Sequence, residues 1–345
     1  MNARSGTIGI GAPEDEPSGA SDPGAEGRPG AGAAAPARAS RVRQIRVEAG
    51  EDGQRLDNWL LQRCPGVPKS RVYRIIRRGE VRVDGARAKP TRRVRAGETV
   101  RVPPLELDPR GPVRVPDALA DELVARVSLA HEDFLVVDKP AGLAVHGGTG
   151  LAFGAIDALR QGFDAPGLEL VHRLDRGTSG ALLVARDKGR ARALQTLFRE
   201  RAVDKRYAAI LAGRWPGGIG RVALALSRVE RGGERCVAVD PAGAPAASRF
   251  AVAERFGDLA TAVDVDIETG RTHQIRVHAA ASGHPVAGDE RYGERRANAE
   301  LARRGVARLC LHSRAIGFAW RGERIEASVA PDAAWERTLE ALRRG

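Results

Sequence analysis

The residues best suited to chemistry lie in one short stretch, Val171-His172-Arg173-Leu174-Asp175-Arg176-Gly177-Thr178-Ser179-Gly180. A single carboxylate, Asp175, stands between the guanidiniums of Arg173 and Arg176, and an apolar run from Ala181 to Ala185 follows. Nearby positive charge favours the ionised form of an acid, and the glycines let the backbone turn tightly and approach a ligand. The stretch can therefore present a deprotonated carboxylate beside an anionic substrate. A surface turn holding a local ion pair is the other structure that such a pattern builds. Cys64, Cys236 and Cys310 are widely spaced and include no Cys-x-x-Cys pair, which argues against a disulfide framework and a thiolate zinc site. His273 and His278 are five residues apart, which on a strand places them on opposite faces. No metal site is expected.

These residues need elements to position them. At 345 residues the chain is long enough for two domains, or for one with appendages. Residues 1–42 are rich in Gly, Ala, Pro, Ser and acids and nearly devoid of large apolar side chains, so a disordered tail is expected. From Gln44 the pattern changes. Ile45 and Val47 alternate as in a strand, Arg55 to Leu61 has helical spacing, and Lys69 to Gly79 reads as a helix between a proline and a glycine. On that helix Val72, Ile75 and Ile76 share one face, while Arg71, Arg74 and Arg78 form a stripe at i, i+3 and i+7 on another. Val81 to Val83 then runs into an Asp84-Gly85 turn.

A stripe of like charge is often only a solvated face. Here acids are scarce between residues 69 and 101 (Glu80, Asp84 and Glu98), which favours a footprint for a nucleic-acid backbone. Residues 105–122 are Pro-rich and charged and read as a linker. Beyond them come β-like runs at Val127–Ala130, Phe134–Val137, Ala181–Ala185, Tyr207–Ala212 and Leu259–Ile267, with a helix-like segment at Arg190–Arg201. This part is thus a mixed α and β domain. With 56 Lys and Arg against 44 Asp and Glu, the formal charge of +12 suits a polyanionic partner. No stretch is long and apolar enough to cross a bilayer, and Met1 to Gly11 lacks the apolar core of a signal peptide, so a cytoplasmic protein is expected.

Residues 171–180 resemble the H-R-L-D-x-x-T-S-G signature of the RluA-type pseudouridine synthases. Further stretches resemble that family's other motifs, in its order. They are Asp138 to Gly148, Lys205-Arg206-Tyr207-Ala208-Ala209, Thr269 to His278 with Gly283 to Asp289, and Arg308 to Ser313. The resemblance spans nearly all of residues 123–330, and residues 43–104 resemble the S4 RNA-binding domain found before many such catalytic domains. It implies an α+β chain: a disordered tail (1–42), an S4-like domain (43–104), a linker (105–122) and a catalytic domain (123–345) built on a large mixed sheet with flanking helices.

The implied activity is isomerisation of uridine to pseudouridine in RNA, without cofactor or metal. The implied catalytic residues are Asp175 as the carboxylate, Arg276 as its ion-pair partner and Tyr207 as the aromatic near the target base that helps remove the C5 proton. Arg173 would fill the space vacated by the flipped base, and Arg271, Lys139 and Lys205 could meet phosphates, with a solvated turn residue before Pro140 the equal alternative for Lys139. His172 would hold its loop, whereas Ile275 and Leu311 fit either a uracil pocket or the core. Lys69, Arg71, Arg74 and Arg78 would bind RNA from the S4-like domain. The runs Gly66–Val83 and Ala144–Gly154 are most similar to family members acting on three uridines of 23S ribosomal RNA. The expected partner is therefore 23S RNA or a large-subunit assembly intermediate, bound by a monomer. The same reaction on other rRNA or tRNA uridines, and a non-catalytic RNA-binding assembly factor, are the alternatives. Ser313 and Ser248 depart from the alanine and threonine usual in the family, away from the implied chemistry.

Overall fold

The computed structural model describes residues 41–344 apart from 65–66, 68, 106–114, 148–150 and 219, and without the side chains of 69, 70, 231 and 234. The expected tail at 1–42 therefore lies almost wholly outside the described residues. The chain divides into two compact units, at Gly111/Pro112.

In the first unit the order is β1 (Arg43–Arg46), α1 (Leu56–Arg63), α2 (Lys69–Arg77), β2 (Arg82–Val83), β3 (Ala86–Arg87) and β4 (Thr99–Val102). The strands form a sheet in the order β1-β4-β2-β3. Asp84 and Gly85 join β2 to β3 with φ of 48° and 80°, the two left-handed residues of a tight hairpin turn. Leu56, Trp59 and Leu60 of α1 and Val72, Ile75 and Ile76 of α2 are buried with Val83 and Val100 of the sheet. Their burial turns the opposite side of α2 outward, exposing Arg74 and Arg78 and leaving Arg71 half-buried. Asp57 ties the two helices together. Its buried carboxylate accepts from Arg55 at 2.6 Å and from the Tyr73 hydroxyl at 2.7 Å.

The second unit begins with α3 (Asp117–Ala125), β5 (Val127–Ala130), β6 (Phe134–Lys139), α4 (Ala155–Gly162), β7 (Glu169–Leu170), β8 (Ser179–Ala185) and α5 (Lys188–Arg199). It continues with β9 (Val203–Ala212), β10 (Arg221–Ala223), β11 (Leu226–Arg231), β12 (Glu234–Val239), β13 (Ala247–Phe256) and β14 (Ala260–Ile267). Helices α6 (Gln274–Ala281) and α7 (Arg295–Arg303), strands β15 (Leu311–Trp320) and β16 (Glu323–Ser328), and α8 (Ala333–Arg344) complete it. Among the described residues ten strands form one sheet, with β10-β13-β14-β9-β15-β8-β6-β5 as its main path. The sheet is mixed because β15 runs parallel to β8 and antiparallel to β9. Strands β11 and β12 stand apart as a hairpin.

Strand alternation decides which helix covers which face. Leu135 and Val137 of β6 and Leu182 and Val184 of β8 pack with Leu123 of α3, Leu159 of α4 and Ile275 of α6. Their neighbours Phe134, Val136, Leu183 and Ala185 point the other way, onto Ala191 and Leu194 of α5. All seven residues of β8 are buried, as expected of a strand covered on both faces. Gly180, near its start, has φ 102°, and a Cβ there would lie 2.2 Å from the Ser313 carbonyl oxygen of β15. Only glycine lets these two strands approach so closely.

Two expectations need correction. The segment 105–122 is not linker throughout, because Leu105 is buried in the first unit's core and residues 117–125 form α3 with Ala120 and Leu123 buried. The charged residues of α3 disguise a helix whose apolar side packs on α4. Nor is 269–278 a strand, since α6 starts at Gln274. The two histidine rings go to separate partners: His273 to Tyr292, and His278 to Ser248 and the Leu224 carbonyl.

Candidate active site

Asp175 sits in the turn leading into β8, with the Thr178 N–H closing on its carbonyl at 3.1 Å. The buried neighbours Val171 and Leu174 anchor the loop. His172 holds its flank: Nε2 accepts from the Leu183 N–H at 2.9 Å, and the ring stacks on Phe198. Burial pushes that imidazole down to about 4, so it is neutral at physiological pH. From the other side Arg176 donates to the Gly142 carbonyl at 2.9 Å. Lys139, expected at a phosphate, is fully buried and donates to the carbonyls of Pro140, Leu143 and Arg176 at 2.8, 2.8 and 3.3 Å. It ties together the loops after β6 and before β8. Lys205 is also mostly buried, with its ammonium over the Phe198 ring at 5.9 Å. Both lysines are buried, and neither lines the cleft described below.

Helix α6 supplies the partner of Asp175. The Gln274 amide is buried and satisfied: its oxygen accepts from the Thr269 hydroxyl and the Arg271 N–H, and its nitrogen donates to the Ala247 carbonyl and Ser248 Oγ. This fixes the loop ahead of the helix. Two residues on, Arg276 Nη1 donates to Asp175 Oδ2 at 3.2 Å. The same guanidinium grips the fully buried Asp289 with both ends of its fork, at 2.7 and 2.8 Å, and faces the Tyr292 ring at 5.0 Å. Burial opposes the charged form of Asp289, but the Arg276 fork outweighs it and holds the carboxyl below its usual range.

Tyr207, on β9, is also buried. Burial pushes its phenol up to about 12, against a hydrogen bond with Ser313 that lowers it. Arg173, Asp175, Tyr207, Ile267, Arg271, Ile275 and Leu311 line one cleft. Arg173 and Arg271 are exposed there, whereas the Asp175 side chain is only 16% exposed. Asp175, Tyr207, Arg276, Arg173 and Arg271 are therefore brought together. Arg71, Arg74 and Arg78 lie in the first unit, where none of them pairs with a carboxylate among the described residues, and the Lys69 side chain lies outside those residues.

Three residues of the site had no assigned role on sequence grounds: His273, Asp289 and Tyr292. Asp289 ends one of the motif-like stretches, but nothing local shows that its fork partner is thirteen positions upstream. His273 precedes α6 with φ 53°, an uncommon conformation outside glycine. That geometry is invisible in the sequence.

A carboxylate held by a guanidinium, beside a buried phenol and two exposed arginines, makes a cleft suited to an anionic substrate. A profile described as RNA pseudouridylate synthase matches residues 133–281, and one for the S4 domain matches residues 54–100. Ribosomal large subunit pseudouridine synthase C of Pasteurella multocida is 42% identical over 308 residues, covering 88% of this chain and 94% of that protein. The protein of the same name from Escherichia coli (strain K12) is 44% identical over 312 residues, covering 88% and 97%. The solved structure of human RNA Pseudouridylate Synthase Domain Containing 1 superposes with a TM-score of 0.53 at 29% identity, covering 66% of this chain and 96% of that one. The chain belongs to the RNA pseudouridine synthase family, with a pseudouridine synthase fold preceded by an S4 domain.

Proposed function

We propose that this enzyme isomerises uridines of large-subunit (23S) ribosomal RNA, with Asp175 as the catalytic carboxylate. The observation that carries the proposal is the one carboxylate among the described residues that line the cleft, held at one oxygen by Arg276. The relatives named as large-subunit synthases support the substrate class.

The reaction breaks the C1′–N1 bond, turns the uracil and joins C5 to C1′, and the C5 proton must leave. A uridine inside an RNA helix cannot meet Asp175 unless it is extruded. Arg173, exposed at the cleft, is placed to stack where the base has left. Arg271 offers a positive contact for the backbone. Ile267, Ile275 and Leu311 give the turned uracil an apolar wall, and water excluded by that wall strengthens the field of the carboxylate at C1′. Asp175 acts at the sugar, as nucleophile or as base, while Arg276 aims it through the hydrogen bond to Oδ2. Tyr207 lies beside the base and accepts the C5 proton. Its phenol is neutral at rest, so the accepting phenolate is a minor form at pH 7. Lys69, Arg71, Arg74 and Arg78 of the S4 domain add phosphate contacts. A monomer, a cytoplasmic location and independence from cofactors belong to the same reading. Among the described residues no helix is long and apolar enough to cross a membrane.

The test is to incubate the purified enzyme with unmodified 23S transcripts, with assembly intermediates and with tRNA transcripts, and to measure pseudouridine in each. Conversion in 23S RNA or its intermediates is expected. Conversion in tRNA alone would overturn the substrate assignment.

A further inference from the structure

The Arg276 guanidinium and the His273 ring approach the same oxygen of Asp175. Arg276 donates to Oδ2 at 3.2 Å, and His273 Nε2 stands 3.7 Å from Oδ2. Oδ1 has no partner among the described residues. We propose that His273 is a positioning residue for Asp175, held by Tyr292 in the tautomer that points an N–H at Oδ2, so that Oδ1 is the oxygen offered to the sugar. The inference rests on the reading of Asp175 as the catalytic carboxylate.

The partners within the protein favour one tautomer. The Tyr292 oxygen accepts the Val237 N–H at 3.0 Å and lies 2.7 Å from His273 Nδ1. A phenol has one hydrogen of its own. If Nδ1 carried a proton, it would donate to Tyr292, and the phenol hydrogen would be left without an acceptor among the described residues. If Nδ1 is bare, Tyr292 donates to it and every proton is used. Nε2 then bears the hydrogen and points it at Asp175. Burial pushes the imidazole below its ordinary pKa, against the pull of Asp175, so the ring is neutral near pH 7. Its left-handed backbone, φ 53°, aims the ring at both partners. Such a conformation persists only where the surroundings enforce it.

The test sets backbone strain against donor placement. Asparagine tolerates the left-handed region better than glutamine does. Glutamine, however, carries its amide nitrogen where His273 carries Nε2, whereas asparagine reaches only the place of Nδ1. Full-length His273→Asn, His273→Gln and Asp175→Asn enzymes are compared with wild type at pH 7.5. Single-turnover pseudouridine formation is followed on total RNA from cells lacking the gene, alongside RNA affinity and thermal melting. His273→Asn is expected to slow turnover about tenfold, through loss of the N–H dipole that stands 3.7 Å from the carboxylate. His273→Gln is expected to stay within about threefold of wild type, with affinity unchanged in both. Tyr292→Phe should slow the wild-type enzyme but not the His273→Gln enzyme, because an amide has no tautomer to fix. Equal rates for His273→Asn and His273→Gln, or a ranking that follows melting temperature, would overturn the inference while an inactive Asp175→Asn left the carboxylate reading standing. An active Asp175→Asn enzyme would remove both.

Discussion

Arg276 is shared between two carboxylates that differ in burial, so replacing each has a different consequence. Asp289 is fully buried, and its oxygens accept from Arg276 Nε and Nη2 and from the N–H groups of Arg291 and Tyr292. Asp289→Asn removes the charge and turns an amide NH2 toward donors. Breaking a buried pair by removing one partner costs about 3–5 kcal/mol. For a unit the size of residues 112–345, each kcal/mol moves the melting point about 2–4 °C, giving a drop of about 6–20 °C. Asp175→Asn is different. Arg276 keeps its fork on Asp289, and only one 3.2 Å hydrogen bond is weakened. The cost is about 1 kcal/mol, or a few degrees at most. Calorimetry resolves the transition of the second unit, and single-turnover assays on the same samples report activity. Asp175→Asn is expected to be stable and inactive, and Asp289→Asn destabilised and slowed. Equal melting points for the two variants would refute the placement of Asp289 as the anchor of Arg276.

Neutralising Arg71, Arg74 and Arg78 to glutamine should weaken RNA binding and reduce the slope of log affinity against log salt by up to about 0.7–0.9 for each phosphate left without its arginine; an unchanged slope would mean that the stripe is only solvated. Tyr207→Phe should abolish release of tritium from RNA labelled at uridine C5 while RNA affinity holds. Because the Tyr207 phenol titrates at about 12, the accepting phenolate increases tenfold per pH unit below that value. Where proton loss is the slow step, wild-type tritium release should therefore rise between pH 7 and 9, and a flat profile would count against proton transfer to the phenolate as that step. Gly180→Ala forces a Cβ to 2.2 Å from the Ser313 carbonyl at φ 102°. It should lower stability by several kcal/mol, since strain and overpacking each cost about 1–3 kcal/mol, and a melting curve like that of wild type would contradict the close approach of β8 and β15.

Local signals carried much of the architecture. The Asp84-Gly85 turn, the amphipathic α2 and the strand runs at 127–130 and 134–137 all rest on neighbours within a few residues, and all lie where the pattern places them. The same holds for α5, a residue or two displaced. What failed was what depends on distant partners. Lys139 looks like a surface lysine before a proline, yet three carbonyls from two loops surround it. The expected linker hides α3, because its short apolar face matters only once α4 is beside it. In the site, the motif resemblance drew Asp175, Tyr207 and Arg276 together. His273, Asp289 and Tyr292 escaped because their roles arise from a left-handed backbone and from contacts across the α6–α7 region. No periodicity encodes those.

The most direct test of the central claim is to map pseudouridines across 23S RNA and tRNA from cells lacking this gene, complemented with wild type or with Asp175→Asn. Loss of particular 23S pseudouridines that return only with wild type is the predicted result. An unaltered 23S map, or full restoration by Asp175→Asn, would contradict it.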